Sequence, residues 1–226
     1  MAAKKKTVPA KKHLLVVDDH PMMRQGLAQL INNVPDLLVS WEADNAGQAL
    51  DVVSRNHPDL VLADISLPDK NGLELIKDIH AICPDAVILV VSMHDETLYA
   101  ERVLRAGGRG YIMKQEGGKK LMEAIRQVLS GQVYVSGKMA AKILDLFSGR
   151  RADSDGPPVG RLSDREFEVF RLIGEGKGTR EIAGKLHLSI KTVEVHRANI
   201  KQKLDLKTAT DLVRHAVRWS EAQGTN

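Results

Sequence analysis

Two apolar runs end directly in aspartates, and this pattern constrains the fold more than any other feature of the sequence. Residues 14–17 are followed by Asp18 and Asp19, and residues 60–63 are followed by Asp64. Short uninterrupted apolar runs are typical of strands buried on both faces of a parallel sheet. If the two strands are neighbours, the three carboxylates meet at the carboxyl edge of the sheet, where α/β folds bind ligands.

Three carboxylates this close repel one another unless a hard cation such as Mg²⁺ joins them. Magnesium beside a strand-end carboxylate suits phosphoryl transfer, because the metal neutralises charge on the phosphoryl oxygens while the side-chain oxygen attacks. The pattern therefore predicts an aspartyl phosphate at this edge of the sheet. Taken singly, Asp64 is more typical of a loop aspartate, and Asp18 could be a helix N-cap before Pro21.

Charge divides the 226 residues into two parts, and the length is sufficient for two domains. Residues 13–160 carry a net charge of −5, residues 161–226 carry +4, and five lysines in residues 1–12 bring the whole chain to +4. We expect residues 1–12 to be a disordered basic lead-in, with a nucleic-acid-binding arm as the alternative.

Cysteine content and hydropathy indicate a soluble cytoplasmic protein without a membrane segment. The single cysteine, Cys83, excludes an intramolecular disulfide and a cysteine-rich metal site. A reducing cytosol is the natural setting for such a chain. No apolar stretch approaches the ~20 residues that span a bilayer, and the N-terminus lacks the apolar core of a secretory signal.

Alternating apolar runs and helical periodicity between residues 13 and 130 predict five βα units around a parallel sheet. The expected strands are 13–17, 37–41, 60–63, 86–91 and 109–113. The expected helices are about 21–33, 46–55, 72–82, 96–106 and 117–130. The predicted fold class is therefore α/β, a doubly wound, flavodoxin-like sheet of five parallel strands.

A short helix and four further helices are predicted after residue 130. Residues 131–161 are expected to be a linker, with the short helix at 137–147 and a Ser-, Gly-, Asp- and Pro-rich stretch at 148–158 that has almost nothing to bury. Residues 162–226 are expected to form an all-α domain whose first helix opens with the capping box of residues 163–166. The first helix ends near residue 174, and the next three helices span about 179–186, 190–204 and 208–218. The three-residue gap between the second and third helices suits a helix-turn-helix.

Residues 13–130 resemble the response-regulator receiver domain. That family has an acidic pair after the first strand, matched by Asp18 and Asp19, and a phospho-acceptor after the third, matched by Asp64. Ser92 matches the hydroxyl residue that ends the fourth strand, and Lys114 the lysine after the fifth. The resemblance implies that Asp64 takes a phosphoryl group from a sensor histidine kinase.

The resemblance also implies a role for each neighbour of Asp64. Asp19 would bind Mg²⁺ directly and Asp18 largely through water, with Asp64 and the Ser66 backbone carbonyl completing the protein ligands. Lys114 would place its charge on the phosphoryl oxygens.

Ser92 is the expected switch, because its hydroxyl would donate a hydrogen bond once the phosphate is present. The space that Ser92 vacates would accept Tyr111. This movement would bias the equilibrium between two conformations of the surface formed by the fourth helix, fifth strand and fifth helix. Met93 and His94 would screen the acyl phosphate from water.

Residues 162–226 resemble the LuxR-type helix-turn-helix, through residues 162–166, 181–183, 188–197 and 203–204. With the receiver, the whole chain resembles a NarL/FixJ-type response regulator, which is a transcription factor and not a metabolic enzyme. The receiver would catalyse only its own phosphorylation and dephosphorylation. The implied partners are the kinase, double-stranded promoter DNA, RNA polymerase, and a second copy of the chain when phosphorylated or DNA-bound.

The third helix of this module sorts into two faces at ~100° per residue. Val193, His196, Ile200 and Leu204 should face inward. The opposite face and its margins should enter the major groove and hold phosphates, with Lys203 a further phosphate ligand. The expected DNA contacts are Lys191, Thr192, Glu194, Val195, Arg197, Ala198, Asn199, Lys201 and Gln202. An ordinary solvated helix face is the alternative.

The last predicted helix is a candidate dimer seam, and core packing alone is the alternative. Its apolar residues are Leu212, Val213, Ala216 and Val217. Three other functions stay open: a phosphorylation-independent DNA-binding regulator, a receiver that acts only as a phosphate sink or autophosphatase, and an interaction module in which Asp64 is never phosphorylated. The complete set of five receiver residues argues against the interaction module, and the intact recognition helix argues against the phosphate sink.

Overall fold

The computed structural model describes residues 11–147 and 158–224 and divides the chain into two compact units, Met1–Ala141 and Lys142–Asn226. Most of the predicted lead-in and the Gly- and Pro-rich part of the predicted linker lie outside the described residues.

The first unit contains five parallel strands in the order β2-β1-β3-β4-β5. The strands are β1 (Lys12–Val17), β2 (Leu37–Ala43), β3 (Leu60–Ala63), β4 (Ile88–Ser92) and β5 (Gly110–Met113). The predicted fold class is confirmed. β2 runs two residues beyond its predicted end, because Glu42 and Ala43 still pair with Val16 and Val17 of β1.

Helices cover both faces of this sheet. They are α1 (Pro21–Asn32), α2 (Ala46–Asn56), α3 (Gly72–Ile82), α4 (Glu96–Arg105) and α5 (Gly117–Leu129), all within two residues of their predicted ends. α1 and α5 share one apolar core with the sheet, in which Leu27, Ile31 and Ile125 pack beside Leu62 and Leu89. Apolar residues on both faces of each central strand explain why the strands read as unbroken hydrophobic runs.

Strand register brings the chemically active residues to one edge. Val17 pairs with Ala63, and Ala63 in turn pairs with Val90, so the residues after β1 and β3 emerge side by side. The Asp64 backbone N–H donates to the Val17 carbonyl at 2.9 Å. The carboxyl ends of parallel strands thus deliver side chains that are 46 residues apart in sequence to one pocket.

A segment after α5 extends the first unit beyond residue 130. Tyr134 forms a bridge with Gly110 at the outer edge of β5, and the Tyr111 N–H donates to the Tyr134 carbonyl at 2.9 Å. A Cβ on Gly110 would lie 2.6 Å from that carbonyl oxygen, so the close approach needs glycine. Helix α6 (Gly137–Phe147) follows, as predicted, and it begins in the first unit.

The second unit packs four helices around an aromatic core. They are α7 (Asp164–Gly174), α8 (Thr179–Lys185), α9 (Ile190–Lys203) and α10 (Ala209–Gly224). The Trp219 ring lies edge-on to Phe167 and Phe170, with centroids 5.6 and 5.4 Å apart. This contact explains why α10 continues past its predicted end at residue 218.

Substituting Gly72 with alanine should destabilise the first unit. A Cβ there would lie 2.4 Å from the Asp64 carbonyl oxygen and 2.7 Å from the Ile65 Cα, so the backbone that carries Asp64 must shift. Overpacking of this kind costs about 1–3 kcal/mol in the free energy of unfolding. The matched control is Gly26→Ala in α1, where nothing lies within 4 Å of the new Cβ. Urea unfolding should show a loss for the first variant and no loss for the second, because alanine favours helix; equal midpoints would contradict the assignment.

Candidate functional site

A buried lysine joins two buried aspartates at the carboxyl edge of the sheet. Lys114 Nζ lies 2.6 Å from Asp18 Oδ2 and 2.7 Å from Asp64 Oδ2, and the three side chains are 4%, 2% and 4% exposed. Burial alone would lower the pKa of Lys114, but its hydrogen bonds to both carboxylates outweigh burial and raise that pKa. The lysine therefore stays charged, and it offsets the repulsion between the two carboxylates.

Asp19 lies at the open side of this pocket. Its side chain is 36% exposed, and its Oδ1 lies 2.6 Å from His20 Nδ1. Ligand atoms of Asp18, Asp19 and His20 all lie within 4.8 Å of one another, a spacing that a single cation can bridge. His20 was absent from the predicted ligands. The His20 side chain is 71% exposed, so no hydrophobic pattern in the sequence marks this position.

Short hydrogen bonds orient the Asp64 carboxylate. Asp64 Oδ1 accepts from the Ile65 N–H at 2.6 Å and more weakly from the Ser66 N–H at 3.4 Å. The Ser66 hydroxyl lies 2.9 Å from His94 Nε2, which joins the loop after β3 to the loop after β4. The predicted use of the Ser66 carbonyl as a metal ligand stays a prediction.

The predicted switch residues lie together beside the pocket. Ser92 is 1% exposed at the end of β4, and the Tyr111 ring is fully buried in β5. Burial raises the pKa of Tyr111, so its hydroxyl stays protonated and donates to the His94 carbonyl at 2.8 Å. The His94 ring stacks on Tyr99 of α4 with centroids 4.9 Å apart, while the Met93 side chain is 57% exposed.

Two residues that sequence reasoning missed hold the loops around the pocket. Asp69 accepts from the Ala46 and Gly47 N–H groups at 2.9 Å each, which attaches the loop after β3 to the N-terminus of α2. Burial alone would raise the pKa of Asp69, but these hydrogen bonds from backbone N–H groups outweigh burial and lower that pKa. Arg24 donates to the Asp18 carbonyl at 2.6 Å. Neither contact has a sequence signal, because the partners meet only in the folded sheet.

The exposed face of α9 agrees with the predicted recognition surface. The exposed residues are Lys191, Glu194, Val195, Ala198, Asn199 and Gln202, and the half-buried ones are Thr192, Arg197 and Lys201. Val193 and Ile200 are fully buried and Leu204 nearly so, as the helical geometry predicts. The Thr192 hydroxyl lies 2.7 Å from that of Ser189, the helix N-cap. His196 is only half-buried, although its Nδ1 atom is enclosed without a hydrogen-bond partner.

Comparisons with known proteins cover both units. The response regulator receiver domain matches residues 14–126, and the luxR family of bacterial regulatory proteins matches residues 160–216. Oxygen regulatory protein NreC of Staphylococcus carnosus is 36% identical over 209 residues, which cover 91% of this chain and 96% of that protein. The chain is a NarL/FixJ-type response regulator. It belongs to a regulatory family of two-component transcription factors and not to the metabolic enzymes.

Solved response regulators resemble this one over nearly the whole chain or over part of it. RcsB from Salmonella enterica serovar Typhimurium, bound to promoter rprA with the phosphomimetic BeF3−, is 25% identical, with a TM-score of 0.66 over 92% of this chain and 98% of its own. A LuxR-family two-component response regulator from Aurantimonas sp. SI85-9A1 is 32% identical, with a TM-score of 0.57 over 62% of this chain and 99% of its own.

Contacts within the second unit of the response regulator bear on two sequence expectations. Lys203 Nζ lies 2.6 Å from Oε2 of the buried Glu166 and fastens the end of α9 to the start of α7, and the predicted contact of Lys203 with DNA phosphate stays a prediction. In the predicted dimer seam, Leu212 and Ala216 are fully buried in the core of the unit. Only Val213, which is 40% exposed, and the half-buried Val217 remain for a seam.

Replacing Lys203 with methionine should destabilise the second unit of the response regulator by about 1 kcal/mol, because Glu166 loses a charge-assisted hydrogen bond. Burial raises the pKa of Glu166, but the bonds from Lys203 and Ser163 outweigh burial and hold that pKa below its ordinary value. A lowered carboxyl pKa gives stability that is present above the ordinary pKa of 4.5 and is lost as the pH falls through the folded value.

The difference in unfolding free energy between wild type and Lys203→Met should therefore be present at neutral pH and shrink as the solution is acidified below pH 4.5. Lys201→Met on the same helix is the matched control and should change stability by less than about 0.5 kcal/mol. Urea unfolding across pH measures both. A difference that does not depend on pH would contradict the ion pair.

Proposed function

We propose that Asp64 accepts a phosphoryl group from the phosphohistidine of a sensor kinase and that this controls DNA binding by α9. The observation that carries the proposal is the buried Lys114 ammonium, which is 2.7 Å from Asp64 Oδ2 and 2.6 Å from Asp18 Oδ2. A carboxylate buried beside a fixed cation at a sheet edge is placed to take a dianionic group and to have its added charge balanced.

The donor set fits magnesium. Asp18, Asp19 and Asp64 bring three negative charges to a pocket in which Lys114 supplies one positive charge, and carboxylates are the ligands that Mg²⁺ prefers. Asp19 would bind the ion directly, Asp18 largely through water, and Asp64 and the Ser66 carbonyl would complete the protein ligands. When bound, the ion would add positive charge at the phosphoryl oxygens.

The chain's own residues divide the remaining work. An Asp64 oxygen forms the new bond to phosphorus as the phosphorus–nitrogen bond to the kinase histidine breaks, and the imidazole leaves with the electron pair. The Ile65 N–H holds the carboxylate in place at 2.6 Å. After the transfer, the Lys114 ammonium pairs with the phosphoryl oxygens instead of the free carboxylate, and the buried Ser92 hydroxyl donates a hydrogen bond to the phosphate.

The output is duplex DNA read by the exposed face of α9. Lys191, Arg197 and Lys201 would hold backbone phosphates, and Val195 and Ala198 would lie against bases in the major groove. Glu194 would accept a hydrogen bond from cytosine N4, which shapes sequence preference more than affinity. RcsB, whose structure is described above, was solved on promoter DNA and supports this assignment.

The same proposal includes the other partners of the chain, its location and the bounds of its domains. We infer a homodimer when the chain is phosphorylated or DNA-bound, contact with RNA polymerase at promoters, and a cytoplasmic location. Among the residues that the structure describes, no helix is both long enough and apolar enough to cross a bilayer. We place the receiver at residues 13–130, a linker with a short helix at 131–161 and the DNA-binding domain at 162–226.

Asp64→Asn should abolish labelling by acetyl phosphate in the presence of Mg²⁺, because an amide oxygen is a poor nucleophile and cannot bind the ion as a carboxylate does. The matched control is Asp51→Asn on the exposed side of α2, which should label like the wild type. Phosphate-affinity gel electrophoresis separates the two forms. A wild-type chain that never labels would overturn the switch, and the phosphorylation-independent regulator would then replace it.

Lys191→Ala combined with Lys201→Ala should weaken binding to a mixed-sequence duplex and reduce the slope of log affinity against log salt by about two, because two phosphate contacts are lost. The control, Lys119→Ala with Lys138→Ala, removes the same charge from exposed positions of the first unit. Fluorescence anisotropy titrations at several salt concentrations measure both. An unchanged slope in the α9 variant would show that this face does not meet DNA and would favour the phosphate sink.

A further inference from the structure

Glu96, the first residue of α4, is a buried carboxylate to which the phosphorylation chemistry gives no role. Glu96 is 7% exposed, and its Oε1 atom accepts a hydrogen bond from the Ser136 N–H at 2.6 Å. An acidic residue in the first turn favours a helix through its dipole, but it does so equally well when exposed. Burying a carboxylate is costly unless charge-assisted hydrogen bonds offset it, and the Ser136 N–H supplies one such bond to Glu96.

Ser136 immediately precedes α6 and bonds to its first turn. Its carbonyl accepts from the Ala140 N–H at 2.9 Å, and its hydroxyl accepts from the Met139 N–H at 3.2 Å. Met139 is 1% exposed and anchors the first turn of α6 in the first unit. The helix then continues to Phe147, past the last residue of that unit, so the Glu96 bond fixes the start of the segment that leads toward the second unit.

Two further hydrogen bonds close a ring with this contact. The Tyr111 hydroxyl donates to the His94 carbonyl at 2.8 Å, and the Tyr111 N–H donates to the Tyr134 carbonyl at 2.9 Å. His94 and Glu96 are two residues apart at the start of α4, and Tyr134 and Ser136 are two residues apart before α6. The ring therefore connects the loop after Ser92, the side chain and backbone of Tyr111, and the start of α6.

We propose that this ring relays the phosphorylation state of Asp64 to α6, with Glu96 as the positioning residue; the relay rests on the function proposed above. When the Ser92 hydroxyl turns to the phosphate, the loop of residues 93–95 moves with it. Glu96 is covalently next to that loop and holds Ser136, so the start of α6 must follow or the Glu96–Ser136 bond must break. Either response changes the segment through which the two domains are joined.

The test is amide hydrogen exchange on the full chain, with and without acetyl phosphate and Mg²⁺. In the wild type, labelling of Asp64 should change the protection of residues 134–140 by roughly ten-fold, the scale of one charge-assisted hydrogen bond. In Glu96→Ala, the unlabelled chain should already exchange faster there, and labelling should produce little further change. Labelling of Asp64 itself should be the same as in the wild type.

Two variant pairs keep the result specific to the ring. Glu101→Ala on the same helix removes only a surface pair with Arg105 and should respond like the wild type. Ser136→Pro removes the donor N–H while leaving Glu96 intact, and Ser136→Ala removes only the capping hydroxyl. The proline variant should lose the response and the alanine variant should keep it. The Ser136 pair also decides the matter if Glu96→Ala fails to fold.

Failure of the relay and failure of the proposed function give different results. If Asp64 labels but residues 134–140 do not respond in the wild type, or respond equally in Glu96→Ala, the relay is overturned and the phospho-acceptor assignment stands. If the wild type never labels, the proposed function is overturned and the relay falls with it.

Discussion

The ammonium of Lys114 between Asp18 and Asp64 is the interaction on which the first unit depends. Three charged side chains, each at most 4% exposed, are tolerable only because the lysine bonds to both carboxylates at 2.6 and 2.7 Å. That geometry requires β1, β3 and β5 to end at the same edge, and it requires the loops beyond them to be held still. Asp69, which accepts from two backbone N–H groups at the N-terminus of α2, supplies such a restraint.

The same edge also explains how a local charge can have a distant effect. His94 contacts Ser66 through its ring and Tyr111 through its carbonyl, so the loops after β3 and β4 and the strand β5 are mechanically connected. A new group on Asp64 would act on residues that are already hydrogen-bonded to one another. Packed networks of this kind move between discrete arrangements more readily than they deform, which suits a two-state switch.

In the second unit, the physical problem is to hold one helix face outward. Val193 and Ile200 fix the inner face of α9 in the core, and the Glu166–Lys203 pair fixes its end. Lys203, a predicted phosphate ligand, thus also has a structural role. Periodicity alone could not separate it from Lys201, because both are cations near the end of one helix and only the position of α7 distinguishes them.

The sequence by itself determined the order and bounds of nearly all the elements, the three carboxylates at the sheet edge, and the faces of α9, because these follow from local periodicity and from the strand-end rule of parallel sheets. Ser92 and Lys114 were indicated by the resemblance to the receiver family. Only the tertiary structure decided which side chains meet across loops: Arg24 with Asp18, Asp69 with α2, Lys203 with Glu166, and Glu96 with Ser136. Leu212 and Ala216 belong to the same class, because an apolar helix stripe is identical in sequence whether a core or a partner covers it. Local patterns record the periodicity of an element, whereas contacts between residues far apart in the chain depend on the spatial arrangement of several elements at once.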